Sequence, residues 1–175
     1  MAVELWQTQV AFAIGILGVY AGWKGTISKM TGFYDLAGAV KHLVYGLVSG
    51  MLLAVCVDKI LLSSVILAYL NIVTASVFAI LIGAAEAAFV MFLLGRPRVV
   101  SLRASPPYGW ALGLGIGSMQ ASYLIYRLFD EQLQYSAYSG VNAVSLTLAF
   151  AITLVSCLGH ALPASWQGSR ILESS

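Results

Sequence analysis

The residues able to do chemistry in this chain are few, and they lie in apolar surroundings. Glu86 is a lone carboxylate in the apolar run 71–94, and Gln120 is the amide of a glycine-rich run that follows an arginine-rich turn (Arg96, Arg98, Arg103). Glu86 precedes Arg96 by ten residues and Gln120 follows Tyr108 by twelve. On two antiparallel helices they stand roughly 15 and 18 Å from the turn, a polar pair at similar depth. An ionised carboxylate left alone in a bilayer is costly, so such a residue has either a partner or a task. One use is proton or ion handling, with Glu86 as the titrating group. The other is a hydrogen bond from Glu86 to Gln120, Tyr123 or a partner subunit, worth about 0.6 kcal/mol.

The two histidines, His42 and His160, begin one apolar run and end another. Imidazoles on facing helices can ligate a b-type haem or a metal ion. The plainer reading is a pair of helix-end histidines at a membrane interface. No cysteine or carboxylate cluster accompanies them in sequence, so no cofactor is expected. Ser49, in Gly46-Leu47-Val48-Ser49-Gly50, is a nucleophile by type. Serine beside glycine in a membrane helix is a packing site far more often than a catalytic one, and no histidine falls at a matching depth. The chain is therefore expected not to be an enzyme. Cys56 and Cys157 fall near opposite membrane faces and are expected to be free thiols.

The elements that must position these groups follow from composition. Of 175 residues, 60% are hydrophobic and only 9% charged, against about 25% charged in a soluble domain. Apolar runs of about 20 residues are bilayer spans, and in lipid each helix satisfies its own backbone. The expected fold is an all-α integral membrane protein, a single domain over residues 1–175. Its spans are placed at 8–23, 36–57, 71–94, 109–129 and 141–162, with six spans as the alternative. Residues 60–70 are read as interfacial, re-entrant or an extension of the second span. Glu4 in place of a basic leader argues that the first span is retained.

Charge sets the orientation. Lys24, Lys29 and Lys41 mark one cytoplasmic loop, and Arg96, Arg98 and Arg103 another. The N-terminus is then outside, the C-terminus inside, and the cell membrane the expected location. A net charge of +2 gives no reason to expect a nucleic-acid partner. The arginine turn, 96–108, is expected to be a loop whose Pro97, Pro106 and Pro107 keep it from continuing the third span's helix, and Pro163 is expected to open the tail after the last span. Asp58 and Lys59 are expected to end the second span or to sit in its frayed last turn. Arg127 is expected to snorkel outward towards Asp130 and Glu131.

Small residues at helical spacing predict close helix contacts. They form four sets: Gly15, Gly18 and Gly22; Gly46 and Gly50; Ala75, Ala79, Gly83 and Ala87; and Gly109, Gly113 and Gly117.

The run Gly113-Leu114-Gly115-Ile116-Gly117-Ser118-Met119-Gln120-Ala121 resembles the Gly-x-Gly-His-Gly-x-x-Glu run of the YhfC-type intramembrane metallopeptidases, in which a Glu-Glu-x-x-Arg motif lies one helix earlier. The resemblance covers Gly83–Ala121. Glu86 matches the first acid, but Ala87 stands for the second acid, Val90 for the arginine, Ile116 for the histidine and Gln120 for the later acid. With those ligands gone, the resemblance implies an inactive member without a metal-bound water.

The expected function is that of a non-enzymatic helical-bundle protein, an accessory subunit in a larger membrane complex. Its partners are lipid and other membrane subunits or further copies of the chain. The alternatives are a small transporter or channel using Glu86, a haem- or metal-binding subunit using His42 and His160, and an inactive protease-like protein.

Overall fold

The computed structural model describes residues 3–32, 35–62, 71–130 and 140–174, and the regular structure among them is helical. The helices are α1 (Leu5–Gly25), α2 (Leu36–Val57), α3 (Ile72–Leu94), the short α4 (Pro97–Ser101), α5 (Ser105–Leu128) and α6 (Ala143–Glu173). Four of them, α1, α2, α3 and α6, are long and apolar enough to cross a membrane. The chain is an integral membrane protein on that ground.

Local chemistry starts the helices where the sequence changes character. Asp35, Asn71 and Asn142 each accept a hydrogen bond from a backbone N–H three residues on, at 2.9 Å, which satisfies one orphan donor of α2, α3 and α6. Asp35 also accepts from the Tyr108 hydroxyl. Together these donors hold its carboxyl below the usual carboxylate range. Beyond Val57 the chain winds on as a wide π turn, Asp58–Leu62. Of the segment expected to be interfacial, residues 63–70 lie outside the described residues.

Helix α5 is the axis of the molecule. Every residue from Pro107 to Ser118 is buried, and the other long helices pack around it. Its glycines explain how. A Cβ added at Gly109, Gly113 or Gly117 would strike the α6 backbone at Ala164, His160 or Ser156, and one at Gly115 would strike α2 at Leu43. Gly46 and Gly50 of α2 lie as close to Leu112 and Ile116, and Gly15 of α1 to Ser118 and Ser122. The order of these contacts makes α1 and α6 antiparallel to α5, and α2 parallel to it; α3 is antiparallel too, since its Leu94 carbonyl accepts from Ser105 Oγ at the start of α5 while Glu86 lies near the level of Gln120. Side chains then bond to backbone across the seams: Ser118 Oγ to the Gly15 carbonyl at 2.9 Å, Ser156 Oγ to that of Gly117 at 2.9 Å, and Trp110 Nε1 to that of Gly22 at 3.2 Å. Cys157 is buried against Gly18 while Cys56 is exposed, and both are free thiols.

The turn does stop α3, at Leu94, but two expectations about proline need correction. The arginine turn contains helix: α4 begins at Pro97, and α5 begins at Ser105 with Pro106 and Pro107 in its first turn. Proline lacks only an N–H that the first turn would leave unused, so it starts a helix as readily as it stops one. Pro163 does not end the last helix either, since α6 runs through it to Glu173. Packing outweighs the lost hydrogen bond: Cys157, Ala161, Ala164 and Gly168 lie buried on one face on both sides of the proline, and Gly168 sits against the Ser105 backbone.

Candidate functional site

The antiparallel arrangement brings three polar side chains together. Helical side chains lean towards the N-terminus of their own helix. Glu86 of α3 and His160 of α6 therefore lean one way along the bundle, while Gln120 of α5 leans back towards them. His160 is the centre. Its Nδ1 lies 2.5 Å from Glu86 Oε1, and its Nε2 lies 3.0 Å from Gln120 Oε1. The expected pair Glu86 and Gln120 is thus joined through an imidazole. The site is neither sealed nor open: the Glu86 and His160 side chains keep 17% and 19% of their exposure.

The protonation chemistry of this arrangement is well defined. An imidazolium donates from both nitrogens, to the Glu86 carboxylate and to the Gln120 carbonyl oxygen. A neutral imidazole donates from Nδ1 to Glu86 and needs a donor at Nε2. A half-turn of the Gln120 amide supplies one, because the oxygen and NH₂ ends occupy nearly the same space. In both states each imidazole nitrogen keeps a partner, so a proton can arrive or leave without stranding the ring in a medium where that is costly.

A cavity of about 220 Å³ adjoins the pair, lined by Gly83, Glu86, Gly159, His160, Pro163 and Gln167 among others. It is rich in acceptors. The Gln167 Oε1 is buried with no hydrogen-bond partner among the described residues, and Pro163 has no N–H to offer the Gly159 carbonyl. Small residues make the space: a Cβ at Gly83 or at Gly159 would meet nothing within 4 Å.

The remaining expected residues fall elsewhere. His42 pairs with a carbonyl instead of an acid: its Nδ1 lies 2.8 Å from the Gly38 oxygen, and its ring stacks on Tyr108 with centroids 4.3 Å apart. It lines a different cavity from His160. Among the described residues no group of three or more His, Cys, Asp or Glu is placed to hold a metal ion. Ser49 donates to the Tyr45 carbonyl of its own helix at 2.8 Å. Arg96, Arg98 and Arg103 are exposed on and around α4, and Arg103 takes φ 51° just beyond its end.

Arg127 does not simply snorkel outward. Its Nε lies 3.1 Å from Asp58 Oδ1, with Asp130 farther at 3.6 Å. Tyr123 donates to Asp58 Oδ2 at 3.1 Å. Asp58, expected in a frayed last turn, is 2% exposed because the π turn directs it at α5. Glu131, the other expected partner, lies outside the described residues.

His160, expected at a helix end, meets Glu86 inside the bundle, a contact that its place in the sequence does not announce. The same holds for Gln167, Gly159 and Pro163 beside it. The signal was present in the small residues 157, 161, 164 and 168, whose helical spacing continues across Pro163. No family model matches the chain, and no curated protein or solved structure matches it either.

Proposed function

We propose that this is a five-span protein of the cell membrane, N-terminus outside and C-terminus inside, that moves protons, or a small cation together with protons, through the Glu86–His160–Gln120 relay. The lysines and arginines at one end of the bundle support that orientation. Helix α5 is a fifth span by this reading. It is shielded from lipid by its neighbours, so it can be less apolar than they are. The observation that carries the function is the 2.5 Å contact between Glu86 and His160, two titratable groups of opposite type sharing one position within an apolar layer. Ionisable groups are rare at such depth and mark proton paths when they occur. The acceptor-rich cavity beside them offers a waiting place for water or a cation.

The test is flux in proteoliposomes carrying an entrapped pH reporter. Wild-type protein is expected to collapse an imposed pH gradient, and Glu86→Gln and His160→Gln each to slow it at least tenfold. Equal rates for all three, matching empty liposomes, would sink the transport reading.

A subunit role is the second reading, favoured by the poor cover on α3. Only Val90, Leu93 and Leu94 of that helix are buried, and Ala79 of its small-residue face is exposed. Stable co-purification of another membrane protein in mild detergent, lost on Ala79→Leu, is the result that reading expects. The protease-like resemblance has one support: Glu86 and Gln120, two of its three aligned acid positions, both border His160. Such a relationship would make the relay a metal-free remnant.

A further inference from the structure

At the basic end of the bundle, a second cavity of about 270 Å³ opens between the start of α2, the arginine turn and the start of α5. Among the described residues its charged lining is unequal: Lys41, Arg96 and Arg98 against the single acid Asp35. That acid is already engaged. Its Oδ1 accepts from the Gly38 N–H at 2.9 Å and its Oδ2 from the Tyr108 hydroxyl. The ion pairs found among the described residues involve Arg127, His160 and Arg170, and none of these three cations. Two of the three are steadied by aromatic faces instead. Lys41 Nζ stands 5.7 Å from the Tyr45 ring and the Arg96 guanidinium 5.1 Å from the Phe92 ring. A cation over a ring keeps its N–H groups free to donate in the plane or outward.

Three like charges around one concavity repel each other. The hollow also has a rigid floor, the stacked rings of buried His42 and Tyr108. Its volume is near the low end of ligand pockets, about 300 Å³ and upwards, so it suits a small anionic group rather than a whole lipid. Guanidinium groups match phosphate oxygens in pairs. The site lies at the ends of membrane-length helices, where lipid phosphates lie and where basic pockets between helices hold acidic headgroups.

We propose that this cavity binds a phosphate group, carried either by the headgroup of an anionic phospholipid or by a soluble phosphate ester. Such binding is independent of proton movement through His160.

The experiment uses full-length protein in mild detergent and native mass spectrometry, with two probes: phosphatidylglycerol, and glycerol 3-phosphate in separate samples and in competition. The variants are Arg96→Gln with Arg98→Gln, and Lys41→Gln. The control is Lys24→Gln with Lys29→Gln, at the same end but outside the cavity lining. Wild type and control are expected to retain one bound probe against a phosphatidylcholine background. The double arginine variant is expected to bind at least tenfold more weakly, and Lys41→Gln about fivefold. Retention of phosphatidylglycerol undisturbed by glycerol 3-phosphate identifies a lipid headgroup, and its displacement identifies a soluble ester. Binding of neither probe, or equal weakening in the control, overturns the site. These side chains are exposed, so the variants keep the fold, checked by an unchanged melting temperature without probe.

Discussion

Two rows of small residues with the same four-residue spacing meet opposite fates. On α5, Gly109, Gly113 and Gly117 let the backbone of α6 come so close that no Cβ fits between. On α3, Ala79 is exposed, and Gly83 meets nothing and lines the cavity beside Glu86 and His160. The first row makes contact and the second leaves room. Small residues lower the barrier to approach but do not supply the approaching partner. What decides is the opposite surface. Facing α5, α6 presents Cys157, Ala161, Ala164 and Gly168, small and continuous. Facing α3, it presents His160 and Pro163, one polar and one unable to lie flat.

The largest expected effect comes from filling the tight row. Gly113→Val places a Cβ 2.5 Å from the Ala161 Cα and closer still to the His160 carbonyl oxygen, atoms of rigid backbone. Overpacking of this kind costs about 3 kcal/mol or more, and loss of the folded fraction in detergent unfolding curves is the readout. A cost under about 0.5 kcal/mol would mean that the α5–α6 seam is looser than the contrast between the rows requires.

Next come the locks that hold α2 on the tight side. Among the described residues, Asp58→Asn leaves Arg127 with the more distant Asp130 as its acid, at an expected cost of about 2 kcal/mol by the same assay. At the other end, Asp35→Ala removes a helix cap and the acceptor of the Tyr108 hydroxyl, at about 1–2 kcal/mol. The carboxyl of Asp35 is held low when folded. Its stabilisation is therefore present above its unfolded value of about 4 and is lost as pH falls through the lower folded value. The difference in melting temperature between wild type and Asp35→Ala should shrink as pH drops below about 4. A gap that widens in acid would contradict the assignment.

The smallest effect on stability belongs to the open row. Gly83→Val replaces a helix-disfavouring glycine with a side chain that enters free space, and unfolding should change by less than about 1 kcal/mol in either direction. Flux should fall nonetheless, because the side chain enters the cavity. If Gly83→Val instead unfolded the protein as Gly113→Val does, the two rows would be alike and there would be no room beside Glu86.

The class of fold was legible because a bilayer imposes length and polarity on whole segments, which composition reports directly. The starts of α2, α3 and α6 fall within two residues of the expected span starts at 36, 71 and 141, because Asp35, Asn71 and Asn142 cap the helices where the apolar runs begin. Glu86 and Gln120 were legible as a site because polar atoms in apolar runs are conspicuous. The bridging imidazole was not. Treating Pro163 as a stop placed His160 at the membrane surface, whereas packing on both sides of the proline carries the helix past the expected boundary at Leu162 to Glu173. The partner of Arg127 was hidden for a related reason. Asp58 looked like a helix end, and nothing local announces that a π turn will aim it inward.

The parallel course of α2 and α5 has a consequence for synthesis. Parallel neighbours cannot be made as a hairpin, and α3 and α4 lie between them in the chain. When Asp58 leaves the ribosome, Tyr123 and Arg127 are still about 65–70 residues away, roughly 3–14 s of translation. For that interval Gly46, Gly50 and the Asp58 carboxylate have no α5 to meet. The membrane-insertion machinery must hold a helix whose acid lacks its counter-charge, and the bundle closes only after most of the chain has been made.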